Sequence, residues 1–182
     1  AQSRDFRSWN ELAVSTELTE NIDFQVEVGL RLDNNARRVD ENLYEAEFQY
    51  GGIDNYDVST SYRFSKSNEG NYFASLHRWT IDGELEKDFD PVEVEFRTRL
   101  QAELAPSEIP EDQWEHYIRD RLTLTLKIND WPLDPFIGFE HYMPLNNQSF
   151  VWTDKNRYIL GTELDLDGGF ELDVSYRFDR HF

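Results

Sequence analysis

The residues best equipped for chemistry in this chain are its arginines. Arg31, Arg63, Arg97, Arg99, Arg119, Arg121, Arg157 and Arg177 each stand one place from an apolar or aromatic residue, in segments where the two kinds alternate. A guanidinium is a planar fork that grips a carboxylate through two parallel hydrogen bonds, and a ring of them can select anions in a pore. Glu45, Glu47, Glu103 and Glu140 fall in the same alternation and are the expected partners. The two chemistries on offer are therefore internal cross-bracing and anion passage.

Catalysis has thinner support. A hydrolase would need a histidine beside a carboxylate or a serine, and the histidines are His77, His116, His141 and His181. Two of them sit in Glu-His-Tyr triplets, Glu115–Tyr117 and Glu140–Tyr142. No spacing singles out a nucleophile, so no catalytic residue is expected. Asp165-Leu166-Asp167-Gly168-Gly169 is short of ligands for a calcium loop and reads as a turn, since Asp-Gly suits positive φ. No metal or cofactor is expected.

The elements that must carry these side chains are strands. From Gly169 to Phe182, Phe170, Leu172, Val174, Tyr176 and Phe178 alternate with Glu171, Asp173, Ser175, Arg177 and Asp179. Successive side chains of a strand point to opposite faces, so such a run has one apolar and one charged face. The same pattern predicts strands over about 6–18, 22–33, 43–51, 56–66, 72–87, 92–104, 115–128, 136–143 and 150–166. Polar loops are expected at 34–42, 67–71, 105–114 and around 144–147, with tight connections at 19–21, 52–55, 88–91, 130–132 and 167–169. All six prolines fall in these connections or at strand edges, where they cost no ladder hydrogen bond. The chain reads as one all-β domain, residues 1–182, of roughly ten antiparallel strands in up-and-down order.

Composition limits the setting. The net charge of −19 argues against nucleic acid, whose binders are basic. There are no cysteines, hence no disulfides and no thiolate metal site. No run approaches the ~18 apolar residues of a membrane helix. That does not settle solubility, because transmembrane strands only alternate. A start at Ala1-Gln2 reads as a mature chain after signal-peptide removal.

Which face is outside separates two architectures. A soluble lipocalin-like barrel turns its apolar face inward around a hydrophobic small molecule. A transmembrane barrel turns it to lipid. Each apolar face holds about five or six positions, which at the usual tilt spans a bilayer band of roughly 25 Å. Trp9, Tyr44, Phe64, Trp114, Tyr142, Trp152, Tyr158 and Phe178 crowd the strand ends, where interfacial girdles lie. These features favour a transmembrane β-barrel, with outer-membrane lipid and lipopolysaccharide as its surroundings.

Family resemblance points the same way. Ser175-Tyr176-Arg177-Phe178 through Phe182 resembles the carboxy-terminal signal of Gram-negative outer-membrane barrels, which ends in an aromatic residue. The wider pattern resembles an uncharacterised family of predicted outer-membrane barrels, small and porin-like, classed as a domain of unknown function. Trp9, Arg31, Arg97 with Arg99, the run Tyr117 to Leu122, Glu140, Asn156-Arg157 before Gly161, and Tyr176-Arg177 carry it. The resemblance implies an outer-membrane location, recognition by the barrel-assembly machinery through the strand ending in Phe182, and no activity. With ten strands and periplasmic termini, the tight turns would lie outside, the reverse of the usual arrangement.

On that topology the polar face separates its charges along the axis. Glu17, Asp23, Asp57, Glu84, Glu86, Glu93, Glu95, Glu163, Asp165, Glu171 and Asp173 lie toward the tight turns, and Lys127 stands among them. The arginines, with Arg78, lie toward the other end. Across a barrel roughly 20 Å wide these side chains nearly meet. Two interiors are then open: a plug of Arg–carboxylate braces, which the reading favours, or a narrow pore preferring small anionic solutes.

Overall fold

The computed structural model describes residues 6–104, 114–128, 131–145, 155–166 and 170–182, with backbone alone for residues 165, 166, 170 and 171. Ten strands result: β1 (Ser8–Thr19), β2 (Ile22–Asp33), β3 (Arg38–Ile53), β4 (Tyr56–Asn68), β5 (Phe73–Phe89), β6 (Val92–Leu104), β7 (Trp114–Leu126), β8 (Leu133–Pro144), β9 (Lys155–Leu166) and β10 (Phe170–His181). Each bonds to its neighbours in sequence, giving one antiparallel up-and-down sheet ordered β1 to β10. Chain contacts divide it into two compact units. Unit 1 comprises Ala1–Gly52, Val58–Ile81 and Gln101–Glu115; unit 2 comprises Ile53–Asp57, Asp82–Leu100 and His116–Phe182.

The strand bounds of β2 and β6 follow the strict alternation of their sequences. β3, β4 and β8 run longer than expected, whereas β1 starts at Ser8 and β7 stops at Leu126. The polar stretch expected as a loop over 34–42 shrinks to a turn at Asn34–Arg37, because β3 already begins at Arg38. Asn34, Asn35 and Ala36 all take positive φ there, which reverses the chain in little length. Arg31 pairs with Glu41 and Leu32 with Val39, so Asp40 is an extra residue, a β-bulge that breaks the two-residue period. Strand β8 begins at Leu133 rather than 136, and Pro135 lies one place beyond the described β7 ladder, which starts at Phe136. The first part of the expected ninth strand, 150–154, the loops at 105–113 and 146–149, and the turn at 167–169 lie outside the described residues.

Burial follows face, and it runs against the usual order. In unit 1, Leu12, Val14, Val26, Val28, Tyr44, Phe48, Trp79 and Ile81 are exposed. In unit 2, Phe96, Leu100, Leu122, Ile137, Phe139, Leu160, Leu172, Val174 and Tyr176 are exposed. The opposite face is buried and polar: Asp33, Glu41, Ser61, Ser65, Thr80 and Gln101 in unit 1, and Asp82, Arg119, Thr123, Thr125 and Glu140 in unit 2. Among the described residues the buried apolar side chains are Leu43, Phe136, Tyr142 and Ile159. Glycines make room for two of them. A Cβ on Gly29 would stand 2.7 Å from Leu43 Cγ, and one on Gly161 would run into the Phe136 ring.

Aromatic side chains couple strands across the apolar face. Phe24 stacks on Phe48 at 4.8 Å, Tyr62 on Trp79 at 4.5 Å, and Phe139 on Tyr158 at 5.4 Å. Cross-strand aromatic pairs of this kind add to sheet stability. Tyr44, Trp114, Tyr158 and Phe178 are exposed at that face, Tyr44 well inside β3 rather than at the strand end expected of it, and Phe64 is half-buried against His77. Two expected girdle residues are placed otherwise. Trp9 lies opposite Arg31 on the charged face, its ring 4.4 Å beneath the guanidinium. Tyr142 is buried among the charges of unit 2, because strand parity rather than aromatic type decides its side. Trp152 lies outside the described residues.

Candidate functional site

The charged face of unit 1 is a set of short braces. Antiparallel pairing sets Arg31 across from Glu41 and close to Glu11, and its Nη1 donates to Glu41 Oε2 at 2.6 Å while Nη2 lies 3.5 Å from Glu11. Arg63 donates to Glu45 and reaches Glu27 at 3.5 Å. Arg78 donates to Glu103 through both Nε (2.8 Å) and Nη2 (2.7 Å). Glu103 also accepts from Gln101 at 3.0 Å. Beside them Ser61 and Thr80 share a buried hydroxyl bond of 2.7 Å. Glu47 is half-buried on the same face.

Unit 2 concentrates its charges around one carboxylate. Glu140 Oε1 accepts from Arg119 at 2.7 Å and faces Arg97 at 3.8 Å. Its Oε2 accepts from the Tyr142 hydroxyl at 2.8 Å and from Arg157 at 3.4 Å. Arg157 also forks onto Asp179, with Nε–Oδ1 at 2.7 Å and Nη2–Oδ2 at 3.0 Å. Arg99 forks onto Asp82, Nε to Oδ1 at 2.7 Å. Around Tyr142, Lys155 Nζ stands 3.9 Å and Arg119 Cζ 4.5 Å from the ring centre, where the negative face of the ring offsets cation burial. Arg121 donates from Nε to Thr123 Oγ1 at 3.0 Å, and Arg177 is half-buried across from Ile159. Charges buried this far must be paired and hydrogen-bonded to be tolerated, and the forks supply that.

Each arginine and glutamate expected at the site thus lies on the charged face, and Glu45, Glu103 and Glu140 do pair with arginines. Several partners escaped the sequence reading: Glu11, Glu27, Glu41, Asp82 and Asp179. Asp82 shares its parity with Glu84 and Glu86, and that was the available signal in an otherwise irregular strand.

At the far end of unit 2 lies Lys127, just after β7. Its ammonium is within 3.5 Å of Glu93, 3.3 Å of Asp134 and 3.8 Å of Glu163. Partial burial works against that charge, but the three carboxylates outweigh it and hold the Lys127 pKa above its ordinary 10.5. Glu86, Asp88 and Glu93 bring carboxylate oxygens within 4.8 Å of one another nearby.

The apolar face carries one polar row. Thr98 donates to Asp120 Oδ1 at 2.8 Å, Asp120 stands across from His141, and His141 Nδ1 bonds Asn156 Oδ1 at 2.9 Å. Asn156 in turn stands across from Arg180. His141 is thereby turned to the apolar side, and His77 bonds the Tyr62 hydroxyl at 2.8 Å. Asp120 between Ile118 and Leu122, at the apolar parity of β7, was the signal for this row.

Comparison with curated proteins and with solved structures finds no match. Residues 6–181 match the family model described as protein of unknown function (DUF2490), and the chain belongs to that family.

Proposed function

We propose that this protein is an outer-membrane β-barrel whose Arg–carboxylate interior is a structural brace rather than an open channel. The observation that carries the reading is the inverted burial: apolar side chains exposed on one face, ion pairs buried on the other. Each half-exposed Leu, Val or Phe forgoes roughly 1 kcal/mol of burial, so a water-facing sheet of this kind would forfeit on the order of tens of kcal/mol. A domain's net stability is only about 5–15 kcal/mol. Lipid removes that deficit. The soluble ligand-binding alternative needs the apolar face buried, and the described residues run the other way.

The braces favour the plug over a narrow anion-preferring pore, because Arg31, Arg78, Arg99, Arg119 and Arg157 are already held by carboxylates at hydrogen-bond distance. On this reading β10 engages the assembly machinery, and the protein does no catalysis.

Fractionation and gel migration test the location. The protein is expected to need detergent for extraction and to migrate faster unheated than boiled. Recovery in aqueous buffer without detergent would sink the membrane reading. In a planar bilayer the folded protein is expected to be silent, and steady conductance would replace the plug with the pore.

A further inference from the structure

Unit 2 sets four arginines on two adjacent strands. Lys127 N donates to the Pro91 carbonyl at 2.9 Å, and Thr98 donates to Asp120. Both fit one antiparallel register of β6 against β7, in which Arg97 stands across from Arg121 and Arg99 from Arg119. Directly opposed side chains start only about 5 Å apart at Cβ, and like charges there repel. In this register the four arginines occupy the corners of a two-by-two block on one face of the paired strands.

Carboxylates hold two corners tightly, Asp82 on Arg99 and Glu140 on Arg119. The other edge is under-neutralised. Arg97 has Glu140 only at 3.8 Å, and Arg121 has a neutral hydroxyl, Thr123. Glu140 stands across from Arg121, yet its oxygens are engaged by Arg119, Tyr142 and Arg157. One further carboxylate feels both arginines: Glu84, which is also repelled by Glu95 and Asp57. Among the described residues Glu84 forms no ion pair.

We propose that the Arg97–Arg121 edge binds a tetrahedral oxyanion, inorganic phosphate or a phosphomonoester. Two guanidinium forks offer several N–H donors to the several oxygens of one phosphate, which chloride cannot use in the same way. The bound anion also removes the Arg97–Arg121 repulsion. A free anion is the occupant rather than a lipid headgroup, because both arginines lie on the charged face, opposite the face given to lipid. In that placement the inference rests on the barrel reading.

The test is calorimetric titration of the full chain, refolded in dodecyl maltoside, with sodium phosphate at constant ionic strength and with sodium chloride as the control. Saturable one-site phosphate binding is expected, with no counterpart for chloride. Arg121→Gln should weaken it roughly tenfold or more, the worth of one charge-assisted hydrogen bond. Glu84→Gln removes the competing carboxylate and should tighten it several-fold. Heat-modifiable migration checks that each variant folds, and Glu84→Gln decides the matter if Arg121→Gln does not. Phosphate behaving like chloride, or affinity that does not rise in Glu84→Gln, would overturn the site. Detergent-free extraction would instead overturn the barrel reading, and the same titration in buffer would still score the anion site.

Discussion

The charged faces of the two units solve one problem differently. In unit 1 the carboxylates are distributed: Arg31 has Glu11 and Glu41, Arg63 has Glu27 and Glu45. In unit 2 they are shared, and Glu140 alone serves Arg119, Arg157, the Tyr142 hydroxyl and, more distantly, Arg97. Distribution gives redundancy, because an arginine that loses one partner keeps another. Sharing gives dependence, because one lost carboxylate takes a contact from Arg97, Arg119 and Arg157 at once.

Removing the shared acid should therefore have the largest effect. Glu140→Ala removes the acceptor that Arg119 and the Tyr142 hydroxyl share, and breaking a buried ion pair costs about 3–5 kcal/mol. Glu41→Ala in unit 1 leaves Arg31 its contact with Glu11 and should cost about 1–3 kcal/mol, the range for an unmade buried hydrogen bond. Urea unfolding in detergent, followed by tryptophan fluorescence, measures both. Equal costs would erase the distinction between the units.

Packing supplies a sharper, smaller contrast. In unit 1, Gly29→Ala drives a methyl into the Leu43 side chain, whose Cγ would be 2.7 Å away. In unit 2, Gly161→Ala meets both the Phe136 ring and Ser175 Cβ at 2.9 Å on the adjacent strand. Overpacking typically costs about 1–3 kcal/mol. The unit 2 variant should fall toward the upper end, because a neighbouring strand's Cβ is less free to yield than a leucine side chain. The same unfolding experiment reads both, and a neutral Gly161→Ala would mean that β9 and β10 part easily there.

Much of this was legible in the sequence, and the illegible parts have a physical pattern. Where alternation is strict, as in β2 and β6, strand bounds and faces follow directly. The bulge at Asp40 inserts one residue and hides the start of β3 among loop-like polar residues. Trp9 and Tyr142 look interfacial by type, yet parity sends both to the charged face. Which carboxylate meets which arginine was the least legible feature. Asp82 meets Arg99 and Asp179 meets Arg157 through register, a property of two strands that neither strand encodes alone. The row from Thr98 to Arg180 shows in the sequence only as Asp120 at an apolar position until β6 to β10 are aligned.

The smallest expected effect concerns Lys127, where the arrangement around Glu140 is reversed and several acids meet one cation. Three acids surround one exposed ammonium, and the Lys127 pKa is raised in the fold. A group whose pKa is higher folded than unfolded stabilises the fold fully below the unfolded value and loses that contribution as pH rises through the folded one. The stability that Lys127 adds should thus be constant at neutral pH and fade only above its ordinary 10.5. Its side chain is 43 % exposed, so solvent screening keeps the effect small. Lys127→Met should lower the urea midpoint slightly at pH 7 and flatten its decline above pH 10.5. A wild-type decline that survives unchanged in the variant would assign the alkaline loss to other groups and leave the three carboxylates indifferent to their lysine.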